Sequence, residues 1–322
     1  MIRLVVVFTV LALLGAARAA PLSVTTESVD LDSENPQIDR VGALRYVGGI
    51  VVRSADERFG GLSGAVVDDD GRMIAVSDRG YWFEARLVYD GGGRLTGLAQ
   101  TTYSAMRNET GGTVQANWLT GDAEAVQRDG TDLLVAFERR HRIWRYDGRG
   151  DLATARPKPV PLPPAVAKLP RNGGIEAMAR LGPNRILAVG EEPLGGSDDS
   201  PTNTGWIVGP EGTTEVHYPN TPWRPTDFAL LPNGDLLALE RRFYALAGFA
   251  ARIKRIPANR LAGGATLDGE VIARLEPPML SDNFEGLAVR RDRDGRTRVI
   301  LVSDDNFRFL QRTLILEFVL ED

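Results

Sequence analysis

Five segments of the 322-residue chain share one pattern, and this repeat limits the fold more than any other feature. They are "LSGAVVDDDGRMIAVSDRG" from Leu62, "AEAVQRDGTDLLVAFERR" from Ala123, "IEAMARLGPNRILAVGEE" from Ile175, "TDFALLPNGDLLALERR" from Thr226 and "FEGLAVRRDRDGRTRVILVSDD" from Phe284. Each opens on a polar or acidic residue and a small-apolar strand. A turn follows, with Asp-Gly, Pro-Asn or Asn-Gly, and then an apolar strand ending in an acid. Third strands follow ("ARLVYD", "RIWRYD", "GWIVG", "ARIKRI", "RTLILEFVL"), and fourth strands follow the first four units ("LTGLAQ", "KPVPLP", "TEVHYP", "GEVIARL"). The fifth unit reaches the C-terminus without one, while "LRYVGGIVV" from Leu44 is a strand without a unit. An all-β fold follows: a β-propeller of four-stranded blades, closed by that N-terminal strand so that no edge stays open. Five blades are counted; a sixth has room only in 99–121 or 23–43.

The first residues, "MIRLVVVFTVLALLGAARAAP", read as a secretory signal: Arg3, an apolar centre over 4–14, and a small-residue cleavage site at 17–19. The expected organisation is a signal peptide over 1–19 cleaved near Ala19/Ala20, an N-terminal extension over 20–43 and one propeller domain over 44–322. A periplasmic or secreted monomer is expected, and no later segment has the length of a membrane span. The chain has no cysteine, which excludes disulfides and thiolate chemistry. Losing Arg3 and Arg18 with the signal takes the net charge from −5 to −7, which argues against a nucleic-acid partner.

In an antiparallel hairpin the start of the first strand and the end of the second lie at the same end. Repetition around an axis therefore gathers the flanking acids on one face. Glu124, Glu176, Asp227 and Glu285, with Ser63 in the remaining blade, are expected to converge at the channel mouth. Asp78, Glu138, Glu191 or Glu192, Glu240, and Asp304 or Asp305 are expected slightly farther out. So many carboxylates need compensation. A hard cation such as Ca²⁺, held by Glu124, Glu176, Asp227 and Glu285, would supply it. Arginines following the acids, among them Arg79, Arg139 and Arg241, are the alternative. Pairing between blades, without a ligand, is the structural reading of the same pattern.

Other chemistries lack support. Ser63 has no G-x-S-x-G frame, only His141 and His217 exist, and neither H-E-x-x-H nor a phosphate-cradling Gly-rich loop occurs. The aromatics Tyr81, Trp82, Trp118, Trp206, Trp223, Phe243, Phe307 and Phe309 are expected in loops after strand ends, most packing between blades.

The segments "RFGGLSGAVVDDDGRMIAVSDRG", "IEAMA", "PTDFALLPNGDLLALERRF" and "DNFEGLAV…ILVSDDNF" resemble the bacterial phytase-like proteins, named for an esterase-like activity of phytase. The resemblance runs from about Leu44 to the end and implies a propeller and hydrolysis of an ester or phosphoester. With three lysines, Lys158, Lys168 and Lys254, the chain departs from the dense acid and lysine clusters of calcium-dependent propeller phytases, which argues against phytate itself.

The resulting expectation is metal-assisted hydrolysis of a small ester or phosphoester at the acidic face. Glu285 and Asp227 would act with Arg79, Arg139 and Arg241, the arginines stabilising developing negative charge. A lactonase-like propeller or a non-catalytic periplasmic binding propeller is the alternative. Glu317, in an outer strand of the last blade, is expected to be dispensable for activity.

Overall fold

The computed structural model describes residues 18–116, 119–197 and 199–321. Most of the signal-like segment and Trp118 lie outside them. The N-terminal part carries β1 (Ala20–Pro21), β2 (Val24–Ser28), β3 (Arg40–Val41) and the long β4 (Leu44–Ser54). Blade 1 is β5 (Leu62–Val67), β6 (Arg72–Ser77), β7 (Tyr81–Tyr89) and β8 (Leu95–Ala105). Blade 2 is β9 (Ala123–Asp129), β10 (Asp132–Phe137), β11 (Arg142–Asp147) and β12 (Lys158–Val160). Blade 3 is β13 (Ile175–Gly182), β14 (Arg185–Gly190), β15 (Thr202–Gly209) and β16 (Gly212–Pro219). Blade 4 is β17 (Arg224–Leu230), β18 (Leu236–Tyr244), β19 (Gly248–Ile256) and β20 (Glu270–Leu275). Blade 5 is β21 (Phe284–Arg291), β22 (Thr297–Ser303) and β23 (Thr313–Leu320), completed by β4.

That last pairing closes the ring. β23 lies antiparallel to β4 from Thr313 opposite Val52 to Leu320 opposite Leu44. The first strands touch in turn, β5 on β9, β9 on β13, β13 on β17, β17 on β21 and β21 on β5. They converge near the axis, so small residues recur on them: Gly64, Ala65, Ala125, Ala177, Ala179, Gly286 and Ala288. A Cβ on Gly64 would stand 2.9 Å from the Val126 nitrogen, which is too close for any side chain. Each interface between neighbouring blades has its own apolar core. Leu239 packs with Leu301 between blades 4 and 5, and Val76 with Val135 between blades 1 and 2. The remaining three interfaces are built around Ala75 with Val302, Ala136 with Met178, and Val189 with Phe228. Among the described residues no helix is long and apolar enough to cross a membrane.

One expectation needs correction. Residues 20–43 are more than an extension: β1 pairs with β8 (Ala20 opposite Tyr103), and β2 and β3 pair with β4. The short stretches that had room for a sixth blade hold these edge strands and the end of β8. Glu317 is fully buried, and Arg290 donates to its Oε1 at 2.7 Å while Tyr89 of blade 1 donates to it at 3.2 Å. An acid in that position is part of the seam, because a buried carboxylate without partners would be costly.

Candidate acidic channel site

In every blade the pairing of the first strand with the second slips at the same place. Leu62 faces Ser77, but Gly64 faces Val76. The same step separates Ala123–Phe137 from Ala125–Ala136, Ile175–Gly190 from Ala177–Val189, and Phe284–Ser303 from Gly286–Val302. In blade 4 it separates Pro225–Glu240 from Asp227–Leu239. A bulge leaves one residue unpaired and bends its strand. The five bulged residues are Ser63, Glu124, Glu176, Thr226 and Glu285. The residues one step beyond the pair that precedes each bulge are Asp78, Glu138, Glu191, Arg241 (itself opposite Arg224) and Asp304. In four blades the N–H of this outer residue donates to the carbonyl of Gly61, Asp122, Gly174 or Asn283 at 2.8–2.9 Å.

The common register relocates two acids. Asp227 is not the blade 4 member of the inner set; Thr226 is. Asp227 lies deeper and fully buried, and its oxygens accept the N–H groups of Phe228 and Leu287, each at 2.8 Å. The Leu287 bond ties β17 to β21, and each carboxylate oxygen has a backbone donor. Glu240 turns away from the mouth, where Arg252 donates to it and Tyr218 donates at 3.0 Å. Arg241 takes the outer position instead. Of the paired alternatives, Glu191 and Asp304 join the ring. Glu192 lies 3.8 Å from Arg224, and Asp305 accepts the N–H groups of Gly61 and Phe307, each at 3.0 Å.

Arg241 is the central counter-charge. It contacts Glu285, lies 3.2 Å from Glu191 and 3.7 Å from Glu176, and donates to Asn283 Oδ1 at 2.8 Å. Asn283, fully buried, donates to Glu285 Oε1 at 2.9 Å. Arg139 contacts Asp122. Arg79 instead stacks on the ring of Phe307, 3.2 Å from its centroid.

The mouth thus holds eight carboxyl groups, Asp78, Asp122, Glu124, Glu138, Glu176, Glu191, Glu285 and Asp304, served by few cations. Burial, reinforced by Asp122 and Glu285, pushes Asp78 up to about 7. Burial also pushes Glu138 up to about 7, opposed by the Gly174 N–H, which donates to it at 3.0 Å. Glu124 is raised well above its usual range by burial and the charges of Asp122, Glu176 and Glu138. Asp304 is raised likewise by burial and by Glu285. Burial raises Glu285 as well, but Arg241 and Asn283 oppose the rise. His141, half-buried in the turn between β10 and β11, has its pKa pulled down by burial, and its Nδ1 has no hydrogen-bond partner.

The oxygens of Asp122, Glu124 and Glu138 all lie within 4.8 Å of one another. Three carboxylates at that spacing fit a hard cation. Of the four ligands expected, the close group contains Glu124 alone; Glu176 and Glu285 belong to the Arg241 cluster. Asp122 was missed because it sits just before the strand, and its only signal is the acid–x–acid spacing of "GDAEA". Beside the ring opens a cleft of about 400 Å³, lined by Glu191, Arg224, Arg241, Arg242, Phe243 and Arg308 among others. Several aromatics expected in loops are strand residues: Trp82 and Trp206 are buried in β7 and β15.

The family model for phytase-like proteins, described as "Esterase-like activity of phytase", matches residues 57–307. The chain belongs to the phytase-like family. All ten ring positions, from Ser63 to Asp304, fall inside the matched span. No curated protein matches the sequence. Among solved structures, an α-L-arabinofuranosidase from Podospora anserina superposes with a TM-score of 0.50 at 11% identity, covering 87% of this chain and 97% of that one. An aldose sugar dehydrogenase from Streptomyces coelicolor gives 0.42 at 12% identity, covering 94% and 99%. At such identity the likeness of this phytase-like chain to the arabinofuranosidase is one of fold.

Proposed function

We propose that this phytase-like propeller is an exported hydrolase of a phosphoester or another ester, acting at the acid ring. The carrying observation is the excess of buried carboxyl groups over cations at one mouth, kept at a cost to stability and set beside an arginine-lined cleft. Asp304 and Glu285 have environments that drive their protonation apart. Asp304, raised well above its usual range by burial and by Glu285 with no cationic contact among the described residues, is assigned the proton-holding role. Glu285, whose rise Arg241 and Asn283 oppose, is assigned the ionised role. Such a pair provides a general acid for the leaving oxygen and a general base for water. Arg241 reaches both the ring and the cleft, and it is assigned the stabilisation of developing negative charge. Arg139 and Arg79 hold Asp122 and Phe307 in place around it. Asp122, Glu124 and Glu138 are the residues that would hold a cation such as Ca²⁺, which supplies Lewis-acid polarisation of the ester oxygen.

A screen of phosphoester, carboxyl-ester and lactone substrates tests this reading, with Glu285→Gln as the comparison. Turnover by the wild type and a fall on the order of 10²–10³-fold in the variant, at unchanged melting temperature, is the expected result. Absence of turnover across the screen would return the chain to the class of binding propellers.

A further inference from the structure

In blades 1, 2, 3 and 5 the second strand stops just before the ring, at Ser77, Phe137, Gly190 and Ser303. In blade 4, β18 continues through Arg241 to Tyr244 and returns as β19 from Gly248. Four extra residues at strand spacing raise this hairpin about 13 Å beyond its equivalents. Beside it runs the loop over 304–312. The two walls share the cleft that leads to Glu191 and Arg241.

The tips of both are apolar. Five large apolar side chains are exposed among the described residues, and four of them are here: Phe243, Leu246, Phe309 and Leu310. Leu246 and Phe309 are completely exposed. Neither element is slack. Phe243 packs on Phe249 across the hairpin with ring centroids 5.1 Å apart. Asn306 and Phe307 hold positive φ, with their N–H groups donated to Asp304 at 2.6 Å and Asp305 at 3.0 Å. Ordered apolar tips held in water are unfavourable unless something covers them.

Charge indicates what that is. The segments 241–250 and 306–312 carry four arginines and no acid, in a chain of net charge −5. Arg241 and Arg312 pair inward, with the ring and with Asp282. Among the described residues, Arg242 and Arg308 have no carboxylate partner; Arg242 lies over the ring of Tyr244. Protruding phenylalanine and leucine side chains flanked by unpaired arginines suit a soft, anionic interface better than a rigid protein groove.

We propose that this rim docks the propeller on an anionic lipid surface, with the acid ring facing the bilayer through the cleft. The docking needs no catalysis, so it stands or falls apart from the hydrolase reading. The test is flotation with phosphatidylcholine vesicles, with and without phosphatidylglycerol. The wild type is expected to float with the anionic vesicles. Leu246→Asp combined with Phe309→Asp should lower partitioning about tenfold or more. Both side chains are fully in solvent, so the melting temperature should not move. Arg242→Glu combined with Arg308→Glu should abolish the preference for phosphatidylglycerol. No flotation of the wild type, equal flotation with both vesicle types, or an Asp variant that floats like the wild type would overturn the proposal. Sedimentation showing a wild-type dimer that the Asp variant loses would also overturn it, since a second copy would then cover the tips.

Discussion

Glu285 and Glu317 belong to the same blade and carry the same group, yet their surroundings assign them opposite roles. Glu285 sits on a bulge at the channel mouth, among seven other carboxyl groups. Glu317 is a seam residue, matched by Arg290 and Tyr89. The acids of the mouth also set a pH dependence. Asp78 and Glu138 titrate at about 7 in the folded chain, against 3.8 and 4.5 ordinarily. The native state therefore holds protons that the unfolded chain releases. Their contribution to stability is fully present below about pH 4 and is lost as pH rises through about 7. In chelator, the melting temperature should fall across this window. Asp78→Asn and Glu138→Gln should each flatten the fall, raising the melting temperature near pH 8 and leaving it unchanged near pH 4. A melting curve series in buffers of constant ionic strength measures this. The recurring acid at each strand end was legible because a hairpin brings its two ends together. The blade 4 assignment was not: aligning "TDFA" with "IEAM" places Asp227 one residue out of register, and register decides which side chain faces the axis.

At the scale of elements, closure depends on β4, and the strands before it add to the same seam. Deleting residues 18–28 removes the pairing of β1 with β8 and of β2 with β4. It should lower the melting temperature by a few degrees, because each kcal/mol lost shifts a chain of this size by about 1.5–2 °C. Extending the deletion through Arg53 removes β4, leaves β23 an open edge, and should yield aggregated protein by light scattering. Glu317→Gln leaves Arg290 buried without its carboxylate. Such a loss costs about 3–5 kcal/mol, so calorimetry should show a drop of about 5–10 °C. The pairing of "LRYVGGIVV" with "RTLILEFVL" was legible from strand counting. The contribution of residues 20–28 was not, since "VTTES" is polar at every position after Val24 and joins the sheet by lying along β4.

For the whole molecule, the ring of carboxyl groups predicts coupling between ligand and fold. A cation held by Asp122, Glu124 and Glu138 binds only the native state, and at about 100 times its Kd it stabilises by about 2.7 kcal/mol. Calcium should therefore raise the melting temperature, and chelator should lower it, most steeply above about pH 7 where Glu138 ionises. An identical melt with calcium and with chelator would leave Arg139 and Arg241 as the only counter-charges. The repeat, the strand order and the N-terminal closure were determined by the sequence, because turn chemistry and the apolar pattern within each unit are local properties. Which residues face the channel was decided by the tertiary structure. Five first strands meeting at one axis put glycine or alanine just after the bulge in four blades and the hydrogen-bonded Asp227 in blade 4, and the bulge leaves the preceding residue unpaired at the mouth. No single repeat contains that crowding, so no single repeat could show that Arg241 and Thr226, rather than Glu240 and Asp227, complete the ring.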